Sequence, residues 1–218
     1  MIESFGFNEF MFLVRSAGWT LLLTAIALFV GGILGGVLAL MRLSHVTPLR
    51  RFAATYITVV QSVPVLMVLF LSYYGLASAG VELPPLLAAS FSLGIYVSAY
   101  LADIWRGAIQ AVPHQQWEAS ESLAMTTAQQ YRYVILPQAL SISLPPTVGF
   151  MVQLVKNTSI VSVVGFVDLA RAGALINNAT FAPFPVFGSV ALIYFLICFP
   201  LSRLSRYFER VLHVGRSH

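Results

Sequence analysis

SAGWTLLLTAIALFVGGILGGVLALM, residues Ser16 to Met41, carries no formal charge from end to end. About 20 apolar residues carry a helix across the hydrocarbon core of a bilayer, so this stretch is long enough to span one. Phe52–Val81 and Leu83–Ala102 are charge-free in the same way. Tyr133–Val155 is also uncharged but contains Pro137, Pro145 and Pro146; a fourth helix is therefore expected from near Ser141, irregular in its first turns. Ala172–Ser202 supplies a fifth, expected from about Pro185 onward. With 58% hydrophobic and 9% charged side chains over 218 residues, the chain has too little polar surface for a water-soluble globule. The fold class is thus an all-α integral membrane protein with about five transmembrane helices. No heptads, repeats or long linkers divide it, so residues 1–218 read as a single transmembrane domain.

The opening MIESFGFNEF places Glu3 and Glu9 where a secretory signal carries Lys or Arg, so the first apolar run reads as a retained span. Arg42, Arg50 and Arg51 follow span one, Arg106 and Arg132 follow span three, and Arg203, Arg206, Arg210 and Arg216 follow span five. The other side has Arg15 and Arg171 with Glu3, Glu9, Glu82 and Asp168. By the positive-inside rule the N-terminus is expected outside and the C-terminus cytoplasmic, as in a multi-pass membrane protein. The net charge of +4 follows from this topology and implies no nucleic-acid partner.

Gly31, Gly32, Gly35 and Gly36 form two overlapping small-xxx-small pairs that suit close helix packing or, less often, a dimer contact. Cys198 is the lone cysteine and lies within an apolar run. His45, His114, His213 and His218 show no metal-ligand spacing, and no catalytic Ser, His and Asp arrangement is legible.

The longest polar segment, about residues 107–140, falls on the cytoplasmic side. HQQWEASESLAM after Pro113 favours a short helix, and Thr126 with Gln129, or Thr127 with Gln130, has capping-box spacing for a second, which is expected to end about Pro137. Trp117, Leu123 and Met125 give this pair apolar points, while Ala119, Ser120 and Ala124 permit close approach. Glu118 and Glu121 replace the Lys and Arg of a membrane-surface helix, which favours docking into a partner's groove.

EASESLAMTTAQQYRYVILPQAL, Glu118 to Leu140, resembles the EAA motif of permease subunits of binding-protein-dependent ABC importers. That pattern is Glu-Ala-Ala, three residues, Gly, nine residues, Ile, one residue, Leu-Pro; its places hold Glu118, Ala119, Ser120, Ala124, Val134, Leu136 and Pro137. YLADIWRGAIQAVP (Tyr100–Pro113), LVKNTSIVSVVGFVDL (Leu154–Leu169) and VPVLMVLFLSYYGL (Val63–Leu76) look like segments of the polar amino acid branch. The resemblance implies that the loop forms coupling helices for a cytoplasmic ATPase, with Trp117, Glu118, Ala119, Ser120, Leu123, Ala124 and Met125 at the contact. It also implies a second permease subunit, identical or not, two ATP-binding subunits that carry ATP and Mg, and an extracytoplasmic substrate-binding protein. The implied function is alternating-access import of polar amino acids or related small zwitterions. Independently, the chain lacks GxxxxGK[ST], so no phosphate cradle for ATP hydrolysis is present and no cofactor belongs to this chain.

Polar groups inside spans mark a path, since each is costly in hydrocarbon without a partner. Gln61 and Ser62 precede Pro64, where a kink is expected, and Lys156 is followed by Asn157, Thr158 and Ser159. The resembling permeases have Lys-Asp-Thr-Ser at the latter place, near the path, and often Arg-Gly-Thr at the former. Asn157 and the triplet Gln61, Ser62, Val63 therefore lack two formal charges, which points to the less substrate-engaged half of a heterodimer. Asp103 and Arg106 are either a helix-end ion pair or, as the lesser alternative, a gate. Two other function classes use parts of the same pattern: an autonomous channel or secondary transporter, which calls for embedded carboxylates or inverted repeats, and a scaffold or sensor that docks a partner without transport.

Overall fold

The computed structural model describes residues 5–214; the remarks above on Glu3, Arg216, His218 and the side chain of His213 lie outside the described residues. These form eight helices: α1 (Phe7–Leu43), α2 (Thr47–Ser62), α3 (Val65–Ser78), α4 (Pro85–Gln110), α5 (His114–Ser122), α6 (Thr127–Val164), α7 (Leu169–Thr180) and α8 (Pro183–Val214). α1, α4, α6 and α8 are long and apolar enough to cross a membrane, and the bent pair α2 and α3 adds a fifth crossing.

α4 is the central strut and touches α1, α2, α3 and α6. Its sequence is rich in Ala, Ser and Gly, and Ala88, Ala89, Ser92, Leu93, Val97, Ser98, Ala99 and Ala102 are buried. In lipid the drive to pack is van der Waals contact between closely approaching backbones rather than escape from water. The glycines of α1 meet this strut. A Cβ on Gly31 would lie 2.5 Å from Val97 Cβ and 2.8 Å from the Gly94 carbonyl, and one on Gly35 would lie 3.0 Å from the Ser98 carbonyl. Gly32 and Gly36 face the Trp105 ring at 3.8 and 3.6 Å. All four glycines of the two pairs thus serve packing within the chain.

Along these contacts the residue numbers of α1 and α4 rise together, so the two helices are parallel. α2 and α6 run the opposite way beside α4, as the Tyr56–Ser98, Trp105–Thr147 and Asn157–Tyr96 hydrogen bonds require. α8 is antiparallel to α6, with Ser205 against Pro145 and Tyr194 near Lys156. Alternating crossings place the first and last described residues at opposite ends of the bundle.

The kink expected before Pro64 is present and is larger than a bend within one helix: the span read as Phe52–Val81 is α2 and α3, Thr47 to Ser78, turned by 102°. The proline ring at Pro64 disfavours the helical conformation for the residue before it, and Val63 is extended at φ −103°, ψ 131°. Ala53 and Ile57 pack beside Ala102, whereas Leu69 packs beside Ala89 and Leu93, so the pair follows the whole length of α4 despite the bend.

A second correction concerns the three prolines after the polar loop. The second loop helix does not end at Pro137 and span four does not begin near Ser141: α6 is continuous from Thr127. The backbone widens into a π turn at Gln130–Ile135, which lets Pro137 enter without breaking the helix. Side chains occupy neighbouring carbonyls: Gln138 donates to Val134 O (2.9 Å), Ser141 to Pro137 O (3.3 Å), and Ser205 of α8 to Pro145 O (2.9 Å). Spans one, three and five also extend further than the charge-free runs, to Leu43, Gln110 and Val214, because Arg at a helix end reaches the interface. α7 was not anticipated. It is amphipathic, burying Leu169, Ala172, Gly173 and Ile176 against α1 and α8.

Gly31→Ala is expected to destabilise the fold by ~1–3 kcal/mol because α1 must move off α4. Gly18→Ala, where nothing lies within 4 Å, should be neutral or stabilising by up to about 1 kcal/mol through helix propensity. Thermal unfolding of the two variants in detergent measures the difference, and equal midpoints would remove the close contact as a stabilising element.

Candidate functional site

The site has two parts joined by α6. At the base, α5 projects beyond the spans. It begins at His114, with Pro113 as its N-cap rather than its first residue. Glu118, Ala119, Glu121, Ser122, Leu123 and Ala124 are exposed, Leu123 by 76%. Trp117 and Ser120 point the other way: Ser120 is buried and donates to Trp117 O (2.8 Å), and the Trp117 ring meets Tyr131 edge-on at 5.3 Å. Gln138 of α6 donates to Gln116 (3.3 Å), and Ile109, Val112, Ile135 and Ala139 close a small core beneath. Of the seven residues expected at a partner contact, Glu118, Ala119, Leu123 and Ala124 therefore form an outward face. Trp117 and Ser120 hold that face to the bundle, and Met125 is half-buried between.

The turn after α5 is a Schellman motif. Met125 N–H donates to Ser120 O (3.2 Å) and Ala124 N–H to Glu121 O (2.8 Å), with Ala124 left-handed at φ 53°. This is the place where the motif carries Gly, and the Cβ of Ala is strained there. Thr126 then caps α6, taking the Gln129 N–H while the Gln129 side chain accepts the Thr126 N–H, so the first of the two capping-box registers is the one used.

The second part lies at mid-length of α4. Val63, at the break between α2 and α3, lines a pocket with Ile95 of α4. The other discontinuity is in α6, where α-helix changes to 3-10 geometry at Thr158; Asn157 donates to Tyr96 OH (3.2 Å), one residue along α4. Two backbone breaks thus meet the same level of the strut, beside a cluster of rings in which Tyr100 stacks on Phe150 and Tyr96 is tilted against both. Irregular backbone at membrane depth persists where it is enclosed by protein or lines a cavity.

Lys156, the only lysine in the chain, is exposed and lines two adjoining grooves between α6 and α8, of about 460 and 500 Å³, that share Phe195 and Cys198. It makes no ion pair among the described residues. Ser159 borders the first groove and donates to Lys156 O (2.7 Å); Thr158 is buried and donates to Val155 O (2.7 Å). Gln61 and Ser62 line neither groove, and Ser62 donates to Thr58 O (2.7 Å). The structure therefore groups Lys156 and Ser159, places Asn157 against Tyr96, and leaves Gln61 and Ser62 at the other break.

Asp168 was read only as an outer-side charge. It is fully buried as the N-cap of α7, accepting from Arg171 N–H (2.9 Å) and from Tyr194 OH (3.5 Å), while Thr20 of α1 accepts the Leu169 N–H (3.1 Å). Burial pushes its pKa up from the ordinary carboxylate value, opposed by the backbone N–H groups of Arg171 and Ala170. An acidic residue before LARAGAL is an N-cap signal that was available in the sequence. Asp103 and Arg106 pair at 2.7 Å, and Arg106 also donates to Gln110 (2.6 Å). That is an intrahelical ion pair near the end of α4.

The described residues thus combine membrane-crossing helices, two backbone breaks at one level of α4, a cation in a neighbouring groove and a short helix packed outside the base. The chain belongs to the family described as the binding-protein-dependent transport system inner membrane component, whose match covers residues 31–214. It is thus an ABC importer permease, the membrane component rather than the ATPase, and a self-sufficient channel or secondary transporter is set aside. It is 36% identical over 210 residues to the probable glutamine ABC transporter permease protein GlnM of Bacillus subtilis (strain 168), covering 96% of this chain and 97% of that one. It is 34% identical over 193 residues to the L-cystine transport system permease protein TcyB of the same organism, covering 88% and 82%. Among solved structures, a chain of an amino acid ABC transporter crystallised with histidines superposes at TM-score 0.87 and 39% identity over 91% of this chain and 93% of that one. The MetNI methionine ABC transporter in an inward-facing form shares the fold at TM-score 0.70 and 20% identity, over 94% and 99%.

Ala124→Gly should relieve the left-handed strain and stabilise the turn by about 1 kcal/mol. Hydrogen exchange at the Met125 amide reads it directly: slower exchange in the Gly variant is expected, and faster exchange would mean that Ala is preferred there.

Proposed function

We propose that residues 1–218 act as one transmembrane domain that imports a polar amino acid or related small zwitterion, with the N-terminus outside and the C-terminus cytoplasmic. The observation that carries this reading is the continuity of α6: one helix links the base, where Trp117 and Gln116 fix α5 to it, with Lys156 at mid-depth. Thr127 and Lys156 are on the order of 40 Å apart along it at about 1.5 Å per residue. A partner ATPase that binds ATP and Mg and grips Glu118, Ala119, Leu123 and Ala124 moves the lever at its base. Alternating access then opens and closes the path near Gln61, Ser62, Lys156, Asn157, Thr158 and Ser159.

The orientation rests on Arg42, Arg50, Arg51, Arg106, Arg132, Arg203, Arg206 and Arg210, which share the α5 end of the bundle. A second permease completes the path, two ATP-binding subunits drive it, and an extracytoplasmic binding protein delivers the substrate. Relatives named for glutamine and cystine, and the neighbour solved with histidines, favour an amino acid. The chemistry agrees: Lys156 has no counter-ion among the described residues, so an α-carboxylate in the adjoining groove gains a charge-assisted bond. Asn157 adds no competing negative charge.

Glu118→Lys should abolish co-purification of the ATPase and substrate uptake in reconstituted vesicles; retention of both rules out the α5 contact. Lys156→Gln should leave the ATPase bound and raise the KM for uptake roughly tenfold. An unchanged KM here, with a raised KM for the matching change in a distinct partner permease, would assign the substrate to the other half of a heterodimer.

A further inference from the structure

A different groove lies at the base of the bundle, between the last turns of α1 and α4 and the first turns of α6. It encloses about 690 Å³, bordered by Gly36, Trp105, Arg132, Leu136 and Leu140. Leu136 and Leu140 follow Arg132 at intervals of four, so the three stack along one face of α6. The polar atoms nearby are already occupied: Trp105 Nε1–H donates to Thr147 (3.2 Å), and the Ser143 hydroxyl donates to Leu140 O (2.9 Å). What remains is an apolar slot with a single guanidinium at its mouth. Arg132 has no ion pair among the described residues, and Leu40 and Leu140 are 63% and 64% exposed beside the slot.

We propose that this groove binds one anionic phospholipid, with an acyl chain along Leu136 and Leu140 and the phosphate on Arg132. Two observations select this occupant. The slot lies among the last turns of α1 and α4 and the first turns of α6, all helices long and apolar enough to cross a membrane, and its lining is apolar apart from Arg132 and Ser143. Its one charged lining residue, Arg132, lies over the Tyr133 ring at 5.7 Å without an ion pair among the described residues, and a cation between spans attracts acidic headgroups whereas a zwitterionic lipid offers no net complement. The bound lipid lies against the π turn Gln130–Ile135, the stretch of α6 that connects α5 to the bundle. Its headgroup chemistry thereby bears on the stiffness of that link.

The test is native mass spectrometry of the assembled, delipidated complex in detergent, with phosphatidylglycerol or phosphatidylcholine of identical chains added. Wild type is expected to retain phosphatidylglycerol at least tenfold better, with Arg132→Gln erasing the preference and Arg132→Lys restoring part of it. Gly36→Leu, whose Cβ meets Trp105 at an ordinary 3.6 Å while the rest of the side chain enters the slot, should lose retention of both lipids; Leu140→Trp serves the same purpose if that variant does not assemble. Equal retention of the two lipids, an Arg132→Gln variant that keeps the preference, or a filled groove that still binds would each overturn the proposal. So would cross-linking of Leu140→Cys to a neighbouring protein chain in the wild-type complex, which would make protein the occupant.

Discussion

Hydrocarbon offers no partner to a free backbone carbonyl, and that constraint shapes every irregular place in this fold. A chain with 11 prolines cannot be built of uninterrupted spans unless the freed groups are satisfied within the protein. Short hydroxyl side chains add bonds to carbonyls beside the irregular places: Ser62 on Thr58 O, Ser72 on Val68 O, Thr158 on Val155 O, Ser159 on Lys156 O and Ser205 on Pro145 O. Most are local, within one turn. The Ser205 bond crosses from α8 to α6 and so also fixes the register of two spans where Pro145 and Pro146 weaken the helix.

The breaks gather at one level of α4, and polar side chains tie the neighbouring helices to it there: the Tyr96 hydroxyl accepts from Asn157 of α6, and the Ser98 hydroxyl bonds with Tyr56 of α2. Elsewhere α4 is an Ala, Gly and Ser surface against which α1 lies close enough that a methyl group at Gly31 would clash. One side of the strut is therefore closely packed. The other carries the discontinuities and the cluster of Tyr96, Tyr100 and Phe150 rings.

Span existence was legible because length and lack of charge are strong signals that depend on no tertiary contact. The capping box at Thr126 and the anomalous Ala124 were legible for the same reason, being local backbone chemistry. What escaped the sequence depended on compensation between elements. Pro137 reads as a helix end because nothing nearby announces that a π turn will absorb it. The kink at Pro64 is legible, but its 102° extent depends on α3 finding the first half of α4, where Leu69 packs with Ala89 and Leu93. Asp168 looked like a surface charge because its partners Thr20 and Tyr194 lie far away in sequence. The residues of the docking helix were read as one surface, and only packing against Tyr131 and Gln138 divides them into an outward face and an anchor.

On the proposed function, the pairing of Lys156 with Asn157 bears on how occupancy and closure are linked. An acidic residue at 157 would place a negative charge beside the lysine and compensate it whether or not substrate were present. Asn157 instead donates to Tyr96 and leaves the ammonium to the groove. In an open, wet groove that cation is hydrated and costs little. Closing the groove without an anion strips the water and leaves an unpaired charge in a low-dielectric interior, a state that is strongly disfavoured. Closing it around a carboxylate replaces the water with a counter-ion. Substrate thus lowers the free energy of the closed form relative to the open one through a single electrostatic contact, which is the differential affinity that a ligand needs to shift a conformational equilibrium.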